Sequence, residues 1–541
     1  MLGEECLDWD IVISGDAHKI ARQLADTLGG HYVHMHEKAS RVVVFVEDTG
    51  SPKNRKEICF DISPLIGKTI EDDLRQRDFT INAIAAPLDQ VVRYLEIGSS
   101  TSVGARVVEW GGVGLYGRPP WFAWRRWLSM SKQYTHPRAT IKAHPTSTQP
   151  PSPLQYDRAL HFIDPLNGVV DLQARRLKAV DDQIFRHDPL RMLRAVRLMM
   201  RYQLQMDPWT ESLLTRDAGL LPEVAAERVH DEMYAILGSE GAANRLHFLD
   251  EHGLFTVIFP EFVPARGMRQ PNPHHWDVLT HSIETVDSLE QISRLVRGET
   301  GYPQRNVGAP FTGARRGGED APTDNELTEI SLLLQEAEQQ GIFSLAGLSA
   351  PRMKMAALLH DIGKPVTYSC DEEGAIHFYD HPLAGVPLIE QIMRRLCAST
   401  QDRRLAQLVA AHHMRPGQLG QNGTVTPRAI RRYFVDLGPT GIYVALFSLA
   451  DHLATLGPQP ADDAWQRHLG VVSLLLTSYI RERDSILPPR LISPEELIRR
   501  LKLEPGPIVG QLLDLISEAQ AEGKIHSKEE AVWFAEEHLN A

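Results

Sequence analysis

The sequence predicts an α+β protein: a small mixed sheet at the N-terminus followed by a long all-α remainder. Three observations carry this. The first ninety or so residues hold strand-like runs at Ile11-Val12-Ile13, Arg41 to Glu47 and Glu57 to Ile62, with one amphipathic helix over Ala17 to Leu28. From about residue 158 onward the pattern is helical, with helix starts and stops marked by Pro and Gly. At 541 residues, with ordinary apolar content, the chain is long enough for several domains, each with its own core.

Composition narrows the class further. No apolar run reaches membrane-spanning length, and the longest candidate, Ile442 to Ala450, is cut off by Asp451. The N-terminus is acidic and carries no signal-peptide pattern. Cys6, Cys59, Cys370 and Cys397 are far apart, which points to reduced thiols in a cytoplasm. A net charge of -13 argues against a generic nucleic-acid coat protein but leaves room for a local basic groove. Nothing in the sequence sets an oligomeric state.

The first strand, Asp8 to Ile13, is stopped by Ser14-Gly15-Asp16. Strand alternation puts Asp8 and Asp10 on one face. Two adjacent carboxylates repel unless a cation sits between them, and hard divalent ions such as Mg²⁺ prefer such oxygen ligands and bridge to phosphates. Asp61 lies among Ile58, Cys59, Phe60 and Ile62. An acid in a strand core is costly unless it is paired or binds a metal, so it is read as a third carboxylate facing the same ion.

Gln76-Arg77-Asp78-Phe79-Thr80-Ile81-Asn82-Ala83 follows. This stretch resembles the second motif, Arg-Arg-Asp-Phe-Thr-Ile-Asn-Ala, of the class II tRNA nucleotidyltransferases and bacterial poly(A) polymerases, with Gln in place of the first Arg. The chemistry agrees. Arg77 can pair with a phosphate or an internal carboxylate. Asp78 and Asn82 can hydrogen-bond a ribose 2′-hydroxyl. Residues 97–157 depart from the family pattern. They are basic and carry Trp110, Trp121, Trp124 and Trp127, and are read as a poorly ordered insertion with no role rather than an RNA-stacking surface.

The resemblance resumes at Ile163-Asp164-Pro165 and at His187-Asp188-Pro189-Leu190-Arg191, where the family has Glu-Asp-x-x-Arg; Arg194 follows one turn later. Asp188 and Arg191, three apart, are expected as neighbours on one helix face. An Asp acceptor beside an Arg donor matches the base edges of C and A and mismatches U and G. The resemblance implies that Arg77, Asp78, Asn82, Asp188, Arg191 and Arg194 bind the incoming nucleotide.

A second series resembles the HD phosphohydrolase superfamily, whose order is His, His-Asp, His, His, Asp. Here it is His281, His360-Asp361, His381, His412 and Asp451, with His413 beside His412 and not separable from it by spacing. Mixed imidazole and carboxylate ligands suit Mn²⁺, Fe²⁺, Co²⁺ or Ni²⁺, which activate water against a phosphoester.

The resemblance therefore implies a nucleotidyltransferase head over 1–96, the insertion at 97–157, a helical neck at 158–250 with the nucleotide-selecting motif, an HD metal domain at 251–465 with a flexible loop at 298–325, and a helical tail at 466–541. The family opens with Gly-Gly-x-Val-Arg-Asp, whereas this chain opens at Met1-Leu2-Gly3; the head is expected to be N-terminally truncated and to lack the triphosphate cradle. The implied reaction adds C and/or A to the 3′ end of tRNA from CTP and ATP by two-metal phosphoryl transfer, with catalytic Asp8 and Asp10 holding two Mg²⁺ ions and Asp61 helping to activate the attacking 3′-hydroxyl. Poly(A) synthesis, an HD-type phosphohydrolase with an inactive head, and a non-catalytic RNA-binding protein are the alternatives.

Overall fold

The structure, a computed structural model, describes residues 8–37, 39–47, 55–88, 90–91, 113–116, 162–299, 324–421, 425–458 and 463–540. It divides into two units, Met1–Asp217 and Ala218–Ala541. The boundary falls inside the stretch read as one neck.

In the first unit, β1 (Asp8–Ile13) leads into α1 (Ala17–Leu28), whose N-terminus is capped by Asp16 accepting from the Lys19 amide. Next come β2 (His31–His36), β3 (Ala39–Glu47), β4 (Arg55–Pro64), the short helix α2 (Ile70–Leu74), β5 (Ile84–Pro87) and β6 (Val113–Tyr116). The sheet order is β2-β3-β4-β1-β6-β5. β2, β3 and β4 pair antiparallel, whereas β4, β1, β6 and β5 run parallel. The sheet is mixed, as expected.

The strand β6 corrects the reading of residues 97–157 as a loop without a role. It fills the place between β1 and β5 and occupies backbone groups that would otherwise form an open edge. The rest of that insertion lies outside the described residues, as do positions 300–323 of the loop read at 298–325.

Alternation decides which face of the sheet does chemistry. Ile11, Ile13, Val42, Val44, Phe60 and Ile62 pack against Ala17, Ala21, Leu24 and Ala25 of α1. Asp8, Asp10, Arg41 and Asp61 therefore share the opposite face. There Val12 packs with Ile70, Leu74, Ala83 and Ala85. After α3 (Gly168–Gln173), the helix α4 (Arg191–Arg201) buries Met192, Leu193, Ala195, Val196, Leu198 and Met199 and keeps its arginines on the other side. Gly168 is required: a Cβ there would lie 1.9 Å from the Thr80 carbonyl oxygen.

The second unit is helical. Its central elements are α5 (Val278–Leu295), α6 (Pro351–Leu359), the hairpin β7 (Tyr368–Cys370) and β8 (Ile376–Phe378), α7 (His381–Arg395), α8 (Thr400–His412), α9 (Thr440–Leu456) and α10 (Asp463–Ile480). The tail helices α11 (Pro494–Leu501), α12 (Pro507–Ala521) and α13 (Lys528–Asn540) share a separate core around Leu497, Val509, Leu512, Ile516 and Ala531. Among the described residues no single helix is long and apolar enough to cross a membrane. The most apolar, α9, is a buried core helix.

Candidate functional site

Asp8 and Asp10 leave the same face of β1, and Asp10 stands directly across from Asp61 in the parallel β1–β4 register. Arg41 stands across from Asp61 on the other side, in the antiparallel β3–β4 register. Its guanidinium forks onto Asp61, Nε to Oδ1 at 2.6 Å and Nη2 to Oδ2 at 2.7 Å. The row Asp10, Asp61, Arg41 thus runs across three strands. Asp10 is surface-accessible at the start of the strand, yet many neighbouring atoms partly desolvate its carboxyl and raise it above its ordinary value, and Asp61 and Asp8 add to this against the pull of Arg77 and Arg194. Three carboxylates on one sheet face are oxygen donors of the kind a hard divalent cation prefers.

Beside the acids lies the 76–83 motif. Its helix α2 carries a full capping box between Thr69 and Asp72. Of the two partners open to Arg77, the structure supplies the internal carboxylate, with Nη2 at 2.8 Å from buried Asp73. Asp78 accepts from Asn82 Nδ2 at 2.8 Å and lies 3.0 Å from Arg194 Nε. Three of the expected nucleotide-binding residues are therefore in one cluster, from two segments far apart in sequence. Thr80 donates to Asp171 at 2.8 Å, which ties the motif to α3.

One expectation fails here. Asp188 does not share a helix face with Arg191: it is extended, at φ -152 and ψ 101, and α4 begins only at Arg191. The cause is Pro189, whose ring disfavours helical backbone at the residue before it. Asp188 accepts instead from the Leu190 amide at 3.2 Å, and Arg191 donates to the Gln76 carbonyl at 3.5 Å.

The second unit gathers the HD series into one buried cluster. Asp361 is its centre. Oδ2 lies 3.2 Å from His360 Nε2 and 3.5 Å from His281 Nε2; Oδ1 lies 3.2 Å from His381 Nε2 and 3.7 Å from His413 Nε2. Asp451 Oδ1 closes the set, 3.0 Å from His281 Nε2 and 3.4 Å from His360 Nε2. The expected ligand His412 is not in it. Helix α8 ends at His412, whose Nδ1 lies 3.5 Å from Arg415, while His413 is buried and turned inward.

Whether these residues fit a metal is decided by the imidazole orientations. His360, His381 and His413 each place Nδ1 at 2.8 Å from a backbone carbonyl, those of Ala357, Phe378 and Ala410. Nδ1 is then the protonated nitrogen, and the Nε2 lone pairs converge on carboxylate oxygens. Nε2 of His360 and of His381, and Oδ1 of Asp361, are buried without a well-formed hydrogen bond. Lone pairs facing lone pairs in a dry site need a cation, so the residues fit one. Burial depresses His413 to about 4 and lowers His281. Burial also opposes charge on His360, but with no cation between them Asp361 and Asp451 outweigh it and raise it to about 10; a bound cation would take the place of that proton on Nε2. Lys364, 2.5 Å from Asp361 Oδ2 and 2.7 Å from Gln270 Oε1, is a member of this site that the ligand series did not include. Gly363 makes the assembly possible: a Cβ there would lie 2.1 Å from the His381 carbonyl oxygen.

Comparison with known proteins finds domain matches in both units. Residues 1–98 match the poly(A) polymerase head domain, 203–265 the probable RNA- and SrmB-binding site of polymerase A, and 327–456 the HD domain. An A-adding tRNA nucleotidyltransferase of Deinococcus radiodurans is 30% identical over 382 residues, 69% of this chain and 74% of the relative. A CC-adding tRNA nucleotidyltransferase of Synechocystis sp. is 24% identical over 537 residues, 98% and 89% of the two chains. A solved CCA-adding enzyme in complex with CTP has the same fold, with a TM-score of 0.51 at 16% identity over 100% of this chain and 88% of the other. Fold and sites define a nucleotidyltransferase joined to an HD domain. The chain belongs to the tRNA nucleotidyltransferase family, and its head and HD domains imply dependence on divalent metal ions.

Proposed function

We propose that this chain adds C and/or A to the 3′ end of tRNA, using CTP and ATP as donors. The observation that carries the proposal is the acid row of Asp8, Asp10 and Asp61 on one sheet face, beside Arg77 and the cluster of Asp78, Asn82 and Arg194. The A-adding and CC-adding relatives support the substrate class and favour it over poly(A) synthesis.

In this reading the tRNA 3′-hydroxyl attacks the α-phosphate, and the bond to pyrophosphate breaks. Asp8 and Asp10 would hold the two metal ions, Mg²⁺ by its preference for oxygen donors, which would supply positive charge against the triphosphate and the departing pyrophosphate. Asp61 orients the attacking hydroxyl. Asp78 and Asn82, already hydrogen-bonded to each other, face the ribose 2′-hydroxyl and so favour ribonucleotides. Asp188 and Arg191 read the base edge, one accepting and one donating, from the extended segment before α4 and from its first turn rather than from one helix face. A transition metal such as Mn²⁺, Fe²⁺, Co²⁺ or Ni²⁺ would be held by His281, His360, Asp361, His381, His413 and Asp451. The converging Nε2 lone pairs would support phosphohydrolase activity there as a second activity. The three described cysteines are free thiols, in keeping with a cytoplasmic protein.

The test is to incubate the purified full chain with tRNA lacking its terminal CCA and with labelled CTP or ATP. Labelled tRNA is the expected result. Label in a homopolymeric tail on unrelated RNA, or no label at all, would overturn the reading.

A further inference from the structure

We infer that Arg41 is a positioning residue for nucleotide addition, acting through Asp61; the inference rests on the function proposed above. Nothing in the motifs marks Arg41. It lies in an apolar strand, between Ser40 and Val42, outside the segments that resemble the family motifs. The structure places it at the end of a row of three residues in register across β1, β4 and β3: Asp10, Asp61, Arg41.

The contact is a two-point fork, with 2.6 Å and 2.7 Å bonds to separate carboxylate oxygens. A fork does what a point charge cannot. It fixes the plane of the carboxylate, because rotating the group breaks both bonds together. Each carboxylate oxygen accepts at two positions, and the fork takes one on each. The remaining positions stay open for a reacting group on the side of Asp10. The charge also matters. Asp8, Asp10 and Asp61 stand together on this face. Arg41 balances one of the three charges from the flank away from Asp10, so it offsets repulsion without occupying the space between the acids.

Outer groups that orient a metal-site carboxylate typically matter about 10–100-fold in affinity or activity when removed. Arg41→Met should therefore lower kcat for CMP or AMP addition by about that factor and raise the Mg²⁺ concentration needed for half-maximal rate, with KM for the nucleotide little changed. Arg41→Lys restores the charge but not the fork, and should recover only part of the rate. In an Asp61→Asn background, Arg41→Met should change the residual rate less than about twofold, since its partner is already altered. A merely structural arginine would give equal losses in both backgrounds and an unmoved Mg²⁺ requirement. Either of those results overturns the inference, as does a wild-type rate in Arg41→Met. If the wild-type chain itself labels no tRNA, the proposed function fails, and this inference with it.

Discussion

Single side chains carry sharply different weight in the two sites. Asp8→Asn or Asp10→Asn should reduce nucleotide addition by about 10²–10³-fold, the usual cost of removing one stabiliser of developing charge, with circular dichroism unchanged. Wild-type incorporation by either variant would refute the assignment. His413→Ala should lose bound metal by elemental analysis, whereas His412→Ala should retain it. Metal loss from the His412 variant alone would reverse the ligand choice. The sequence contained the signal for His413. Ala406, Val409 and Ala410 are the buried residues of α8, and His413 continues their spacing by one further turn. Arg41 gave no such signal, because a strand sequence does not show which residue its neighbour strand will set opposite. Asp188 was legible as a chemical group but not in its geometry. Asp188→Ala should lower incorporation of C and A and raise that of U or G, each edge being worth about 1–3 kcal/mol of discrimination; an unchanged preference would leave Asp188 a purely structural acceptor of the Leu190 amide.

At the level of elements, boundaries follow local rules closely where caps are strong. Helix α1 spans Ala17–Leu28 as its periodicity predicts, between the Asp16 cap and Gly29 in the left-handed region at φ 66. The strand β6 was not legible, since its pairing depends on two strands distant in sequence. Close approach between elements is set by Gly363. Gly363→Ala forces backbone apart at the start of α7, and should cost about 1–3 kcal/mol. It should also weaken metal retention by drawing His381 from Asp361; a melting temperature and metal content equal to wild type would count against this. Packing of α10 on α9 brings a pH dependence. His468 Nε2 lies 2.9 Å from Ser448 Oγ, and Ser448 itself donates to the Ala445 carbonyl. The imidazole N–H must then be on Nε2, which turns Nδ1 toward His452 Nδ1 at 3.3 Å. Burial first, and the His452 charge next, push His468 down to about 4. The ordinary value near 6.5 lies above this, so the unfolded chain takes up the proton first. Stability is full above about pH 6.5 and falls as pH drops toward 4, by roughly 1–3 kcal/mol for this partly exposed group. His468→Gln should flatten that part of the pH profile of the melting temperature, and an identical slope would exclude His468 as its source.

Across the whole molecule, two chemistries occupy two structurally separate units. Asp8, Asp10, Asp61 and their arginines belong to Met1–Asp217, and every residue of the histidine cluster belongs to Ala218–Ala541. Each unit has its own buried core, and the carboxylate set and the imidazole set prefer different cations. The double variant His360→Ala, Asp361→Ala should therefore lose its transition metal and any phosphodiesterase activity while still adding nucleotides to tRNA. It also removes the buried carboxylate to which Lys364 and four imidazoles turn, so some loss of thermal stability in the second unit is expected. Chelation offers a milder version of the same test. A ligand that binds only the folded form stabilises it by mass action. Stripping the imidazole-bound metal from the wild-type chain should lower the melting transition of the second unit, and the double variant should show no such drop. If Mg²⁺ is then supplied in excess, nucleotide addition should return to its full rate with the histidine site still empty. Failure of addition to return under those conditions, with the fold intact by circular dichroism, would mean that the histidine metal also serves the transferase.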